Sequence, residues 1–211
     1  MHGAPETTSL IGFGAIFTLF FVTLGPLKIL GPFAQLTRET DEATMRQIAV
    51  RAFVLALIAV VAGGFGGRTL LENWGISAAA MLLSGGIIFV LVGLNLVLEQ
   101  YQPTHPVLPS LPAAPMAAAM RITFPIVVTP YGIAALIVVL TDSPDVARTG
   151  AVLALLLAVM VLNLLTMLSA RRIMGGVTVM ALQIIGAVLG VLQVALAIDM
   201  ILRALRELAL L

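Results

Sequence analysis

Long apolar stretches broken by short polar joints dominate the chain. Six such runs lie near Leu10–Leu36, Gln47–Leu70, Ile76–Leu98, Met116–Leu140, Val146–Leu168 and Val177–Leu202. Each is long enough for the roughly 20 residues that carry a helix across a bilayer. The joints "TRETDEATMR", "ENWG", "TDSPDVAR" and "SARRIMGG" are polar and short. This pattern predicts an all-α membrane protein with six transmembrane helices, four plain and two interrupted.

The interrupted runs are the first and the fourth. Residues 23–33 read "TLGPLKILGPF", with Gly-Pro pairs at Gly25-Pro26 and Gly31-Pro32, and the fourth run carries Pro125 and Pro130. Proline lacks an N–H and clashes with the carbonyl four residues back, at a cost of about 3 kcal/mol in a helix interior. Pro26, Pro32, Pro125 and Pro130 are therefore expected to free the carbonyls of Val22, Lys28, Arg121 and Ile126. Within hydrocarbon such backbone survives only inside protein or along a wet cavity. There, freed carbonyls suit a cation or an ammonium, and the next half-helix offers N–H groups to a carboxylate. A kinked helix whose carbonyls are satisfied by neighbours is the simpler alternative for any single break.

Composition agrees with a membrane setting. The chain is 61% hydrophobic and 10% charged, with a mean hydropathy of +1.15. Ordinary soluble domains are about 45–50% apolar and 25% charged. The formal net charge of +1 argues against a nucleic-acid surface, and the absence of cysteine excludes thiolate metal sites. The leading "MHGAPETTS" has no Lys or Arg, so a cleaved signal peptide is not expected.

Between the third and fourth runs, "QPTHPVLPSLPAAP" places prolines at 103, 106, 109, 112 and 115. One proline in three puts them on one face of a polyproline II rod, a semi-rigid tether or a docking site for a proline-reading partner. It divides the chain into residues 1–99, a linker over 100–116, and residues 117–211. Each half reads as one broken run followed by two plain ones. Pro26 to Gly85 spans 59 residues and Pro130 to Gly186 spans 56. "WGISAAAMLLSGG" parallels "GGVTVMALQIIGA". With three spans per half, the second half enters the membrane upside down. Paired broken helices in such inverted-topology repeats point to a substrate site near the midplane. If the termini lie outside, seven basic residues (Lys28, Arg38, Arg46, Arg51, Arg121, Arg171 and Arg172) face inward and four (Arg68, Arg148, Arg203 and Arg206) outward. The positive-inside rule favours that orientation.

Several segments together resemble the MarC family of six-span inner-membrane proteins, which includes a transporter of small neutral amino acids. "WGISAAAMLLSGGIIFVLVG" is similar to its F-G-I-S helix with a small-residue motif, "FPIVVTPYGIAALIVV" to its P-x(4)-G-P-G-x-I segment, and "IIGAVLGVLQVALAIDMI" to its last helix. "LGPLKILGPF" stands where the family has N-P-L-G/T. The resemblance covers nearly the whole chain apart from the proline rod. It implies inverted repeats with broken first and fourth spans, and a small neutral amino acid as solute in the cytoplasmic (inner) membrane. This chain departs from the pattern at Gly25, where the family has Asn, at Thr129, where it has Gly, at Tyr131, and at Lys28, where it has a small or hydroxyl residue.

The candidate substrate-binding set is Thr23, Gly25, Pro26, Lys28, Thr129, Pro130, Tyr131 and Gly132. The glycines let backbone approach a ligand and the threonines add hydroxyls. Lys28, the only lysine, is costly at mid-membrane. It binds a substrate carboxylate, stands in for a coupling cation, or snorkels to the interface; all three readings stand. Ser84, Gly85, Gly86, Asn95, Gln183 and Gly186 are pathway or packing candidates, and Asn163 and Gln193 either line a pathway or join helices. Asp199 is read as an interfacial pair with Arg203, with a proton-carrying carboxylate as the alternative. No cofactor is expected, and coupling to Na+ or H+ stays open. His2 and His105 lie outside the runs, no nucleophile is placed near a base, and no metal-ligand cluster is present, so an enzyme is not expected. A scaffold or homo-oligomeric assembly protein and a channel or exporter are the rival readings.

Overall fold

The computed structural model describes residues 11–98, 114–143, 145–173 and 176–208. Eight α-helices occur among them: α1 (Phe13–Leu24), α2 (Pro26–Leu36), α3 (Glu42–Asn73), α4 (Ala78–Leu98), α5 (Pro115–Arg121), α6 (Pro130–Thr141), α7 (Val146–Ile173) and α8 (Gly176–Glu207). A wide-turned segment, Ile122–Val127, joins α5 to α6. No strand is present among the described residues. Five helical paths are long and apolar enough to cross a membrane: Phe13–Leu36, Glu42–Asn73, Ala78–Asn95, Val146–Ile173 and Ile184–Glu207. The fourth apolar run is cut into pieces, and only the shorter apolar helix Pro130–Thr141 remains whole.

The plain helices outrun their apolar cores. α3 starts at Glu42 because the Asp41 carboxylate accepts the Thr44 N–H at 2.9 Å and caps the first turn. That backbone bond, with the Thr44 side chain, holds the Asp41 pKa below its ordinary 3.8. α3 ends in a tight turn at Gly75, whose φ of +66° suits glycine. The helix α5 begins at Pro115 and so takes the last two residues assigned to the linker. The rest of the proline rod, residues 100–113, lies outside the described residues.

Packing follows a crossed pattern. α6 lies on α3, α2 on α7, and α4 on α8. Small residues set the close approaches. A Cβ on Gly63, Gly64 or Gly67 of α3 would lie 2.9, 2.4 or 2.2 Å from Ile133, Leu136 or Ile137 of α6. The rising pairs show that α3 and α6 run parallel. A Cβ on Gly86 or Gly93 of α4 would lie 3.0 Å from the carbonyl oxygen of Ala197 or Gly190 on α8. Seven residues separate each pair, and their opposite order makes α4 and α8 antiparallel. Because lipid tails are as apolar as leucine, such contacts rest on van der Waals fit rather than water exclusion. Outward faces remain apolar, with Ile58, Leu91, Leu165 and Val191 exposed.

Polar ties hold both ends. Arg171 donates to the carbonyls of Thr37, at 2.7 Å, and Thr40, closing the turn after α2. At the other end Arg148 pairs with Asp142 at 3.0 Å, both side chains about one-tenth exposed. Arg148 also donates to the Ile11 carbonyl, and the Ile11 N–H donates to Asp142 at 3.0 Å.

Two glycine substitutions separate packing from propensity. Gly86→Val is expected to lose about 1–3 kcal/mol by overpacking the α4–α8 seam. Gly66→Ala, where an added Cβ meets nothing within 4 Å, is expected to gain up to about 1 kcal/mol from helix propensity. Thermal unfolding of the two variants in detergent checks both signs.

Candidate functional site

The first apolar run breaks at one point. Pro26 can give no N–H back to Val22, and Gly25 leaves the helix in an extended conformation, φ −81° and ψ 177°. Any residue could adopt those angles, but few could fit the space. A Cβ on Gly25 would lie 1.8 Å from the Phe21 carbonyl oxygen. Gly31-Pro32 behaves differently from the expectation: α2 continues through Pro32, and a Cβ on Gly31 would meet nothing within 4 Å. Within this run only Pro26, preceded by the extended Gly25, interrupts the helix.

The fourth run breaks over a longer stretch. Phe124 is extended inside the wide-turned segment, and the Val128 N–H donates five residues back to Thr123 at 2.8 Å. Thr129 is extended at φ −104° and ψ 150°, and Pro130 opens α6. The Thr129 Oγ1 accepts the Gly132 N–H at 3.2 Å and caps that helix.

The two breaks touch. The same Thr129 hydroxyl donates to the Thr23 carbonyl at 3.2 Å. Gly132 presses on Leu24, where a Cβ would lie 2.3 Å from Leu24 Cδ2. Lys28, in the first turn of α2, donates through Nζ to the Tyr131 phenol oxygen in the first turn of α6. Its Nζ lies 3.9 Å from the Tyr131 ring centroid and 3.5 Å from the Thr23 carbonyl oxygen. From α7, Asn163 donates through Nδ2 to the Leu24 carbonyl. The last two carbonyls of α1 are therefore covered by side chains from the second half and by Lys28. Thr23, Leu24, Thr129 and Gly132 are buried, Pro26, Lys28 and Tyr131 are half-buried, and Pro130 is exposed.

All eight residues of the candidate set thus fall at or beside one junction, in altered roles. The Thr23 hydroxyl bonds back to Leu19 at 2.7 Å, and it is the Thr23 carbonyl that faces the second half. Lys28 is half-buried, with its ammonium at Tyr131 and the Thr23 carbonyl. The secondary candidates scatter. Gly85 packs on Val138 of α6 and Gly86 on α8. Ser84 is exposed and bonds to Ala80 in its own helix, and Asn95 is exposed. A Cβ on Gly186 would meet nothing within 4 Å, so that glycine makes no close seam. Gln183 lies on α8, its side chain outside those described. Asp199 pairs with Arg203 at 2.7 Å on the surface, as an i,i+4 pair.

Asn163 is the residue whose part the sequence understated. It is 1% exposed, and its Oδ1 has no hydrogen-bond partner among the described residues, nor has either amide atom of the buried Gln193. The glycine seat on α3 and the Asp142–Arg148 tie were also passed over, although "AGGFGGR" and "TDSPDVAR" carry them. A cavity of about 330 Å³ lies elsewhere, at the end of the bundle between Glu42, Met45, Arg46, Leu168, Arg171 and Arg172. The junction rather than that cavity is the candidate site, because there broken backbone from both halves converges.

Comparison with known proteins gives this junction a context. The description "MarC family integral membrane protein" matches over residues 10–209, which includes both breaks. This chain belongs to the MarC family. Among similar proteins is the UPF0056 membrane protein MJ1677 of Methanocaldococcus jannaschii, 24% identical over 192 residues that make up 90% of this chain and 94% of that protein. No solved structure gives a significant match. As a MarC-family member the chain is an integral, multi-pass membrane protein, in line with its helices.

The fit at the first break gives a direct check. Gly25→Ala is expected to lower the thermal unfolding temperature or the folded yield sharply, since its Cβ meets backbone rather than a movable side chain. Gly31→Ala is expected to be neutral or stabilising. Equal behaviour of the two variants would contradict the close approach at Gly25.

Proposed function

We infer that this MarC-family protein is a secondary carrier of a small solute, with a small neutral amino acid as lead candidate, working by alternating access around the α1–α2 and α5–α6 breaks. The observation that carries this reading is the contact between the breaks, Thr129 Oγ1 to the Thr23 carbonyl at 3.2 Å. Two helix N-termini, those of α2 and α6, open at that contact beside the Lys28 ammonium, and such ends favour a carboxylate. The buried Asn163 Oδ1 adds an acceptor beside it.

The packing supports two inverted three-span repeats, six crossings in all with the fourth made of short pieces. Exchange the halves and the contacts map onto one another: α2 on α7 matches α6 on α3, and α4 pairs with α8. Orientation with both termini outside the cytoplasmic membrane follows from the arginine bias. Arg46, Arg171 and Arg172 line one cavity at the proposed inner end.

Reconstituted vesicles test the reading. Saturable uptake of a labelled small neutral amino acid, accelerated by the same unlabelled solute inside, is the expected result. Pro130→Ala restores an N–H toward the Ile126 carbonyl and is expected to abolish uptake while the protein still inserts. Unsaturable flux would replace the carrier with a pore, and full uptake by Pro130→Ala would remove the break from the mechanism.

A further inference from the structure

The position of Lys28 bears on how this site is energised. Five residues beyond Thr23, its stem folds back so that Nζ lies 3.5 Å from the Thr23 carbonyl oxygen. That carbonyl belongs to the C-terminal turn of α1, the negative end of its helix dipole. On the other side stand the phenol oxygen and ring face of Tyr131, with 3.9 Å from Nζ to the ring centroid. A carbonyl, a phenol oxygen and an aromatic face are the partners a monovalent cation or an ammonium takes. Lys28 is also in the first turn of α2, where its own helix dipole disfavours positive charge. The α1 carbonyls and Tyr131 offset that cost.

We propose that the Lys28 ammonium is a tethered cation filling the cation position at the α1 break, so that this site binds its ligand without Na+ or any other mobile cation. A second cation about 4 Å from Nζ would meet a repulsion that weakens its binding on the order of 1,000-fold at an effective dielectric constant near 20. The cation site itself rests on the geometry alone. Its consequence for transport rests on the carrier reading above.

Thermal unfolding of the purified full-length protein in detergent tests the site without transport. Scans use choline, sodium, potassium or methylammonium chloride at fixed ionic strength. Wild type is expected to unfold at one temperature in all four. Lys28→Ala is expected to unfold lower in choline and to recover most of the difference in sodium or methylammonium, which are small enough to enter the emptied space. Stabilisation of wild type by sodium over choline overturns the proposal, and so does a Lys28→Ala variant indifferent to every cation. If Lys28→Ala cannot be recovered folded, Lys28→Met is expected to lose unfolding temperature and Lys28→Arg to keep it; equal values overturn the proposal. Vesicle uptake that fails while the cation response holds would sink the carrier reading alone. Sodium-dependent uptake would sink the tethered cation alone.

Discussion

A carbonyl left without its helical partner where a lipid-embedded helix breaks must find a donor within the protein, and the rest of this fold is arranged around that demand. Water is not available to repair it. At the end of α1, Thr23 and Leu24 are met by Thr129, Asn163 and Lys28. Two of those donors, Thr129 and Asn163, come from the second half, so the freed carbonyls are satisfied only once elements distant in sequence have assembled. The Thr129 hydroxyl serves twice, capping its own helix and bonding across to α1. Loss of that one oxygen would leave an uncapped N-terminus on α6 and remove a donor from the opposite half.

Small residues supply the complementary requirement. Gly63, Gly64 and Gly67 bring α6 close to α3, and Gly86 and Gly93 bring α4 close to α8. These glycines are used within the chain. Gly25 and Gly132 act at shorter range, one against the Phe21 carbonyl and the other against Leu24. Between them they set how nearly the two breaks can approach.

The breaks were legible in the sequence because proline has a definite chemistry: it removes a donor, and it does so at Pro26 and Pro130 whatever the surroundings. Gly31-Pro32 carries the same two letters, yet α2 runs through it. What separates the pairs is room beside the glycine, which only the folded chain defines. The polar residues within the helices were harder to sort. Asn95 is exposed and Asn163 buried, and in helices apolar on every side nothing in hydropathy says which way a given residue turns. Lys28 was ambiguous for a related reason. It lies eighteen residues beyond Leu10, and the partner its ammonium meets, Tyr131, is a residue in the other half.

The ties along α7 carry a mechanical consequence. Arg148, Asn163 and Arg171 lie on one helix, and each donates to backbone of the first half, at Ile11, Leu24 and Thr37. From Arg148 to Arg171 the helix rises about 35 Å, close to the thickness of the hydrocarbon layer. A strut pinned at its foot, waist and head travels with what it is pinned to. The polar ties therefore do not follow the two stretches of chain on either side of the prolines: α7 is held to α1 and to the turn after α2, and through Arg148–Asp142 to the end of α6. In the same crossed manner α6 is seated on the α3 glycines. The Thr129 hydroxyl and the Asp142 carboxylate are polar links that join these two sets of helices.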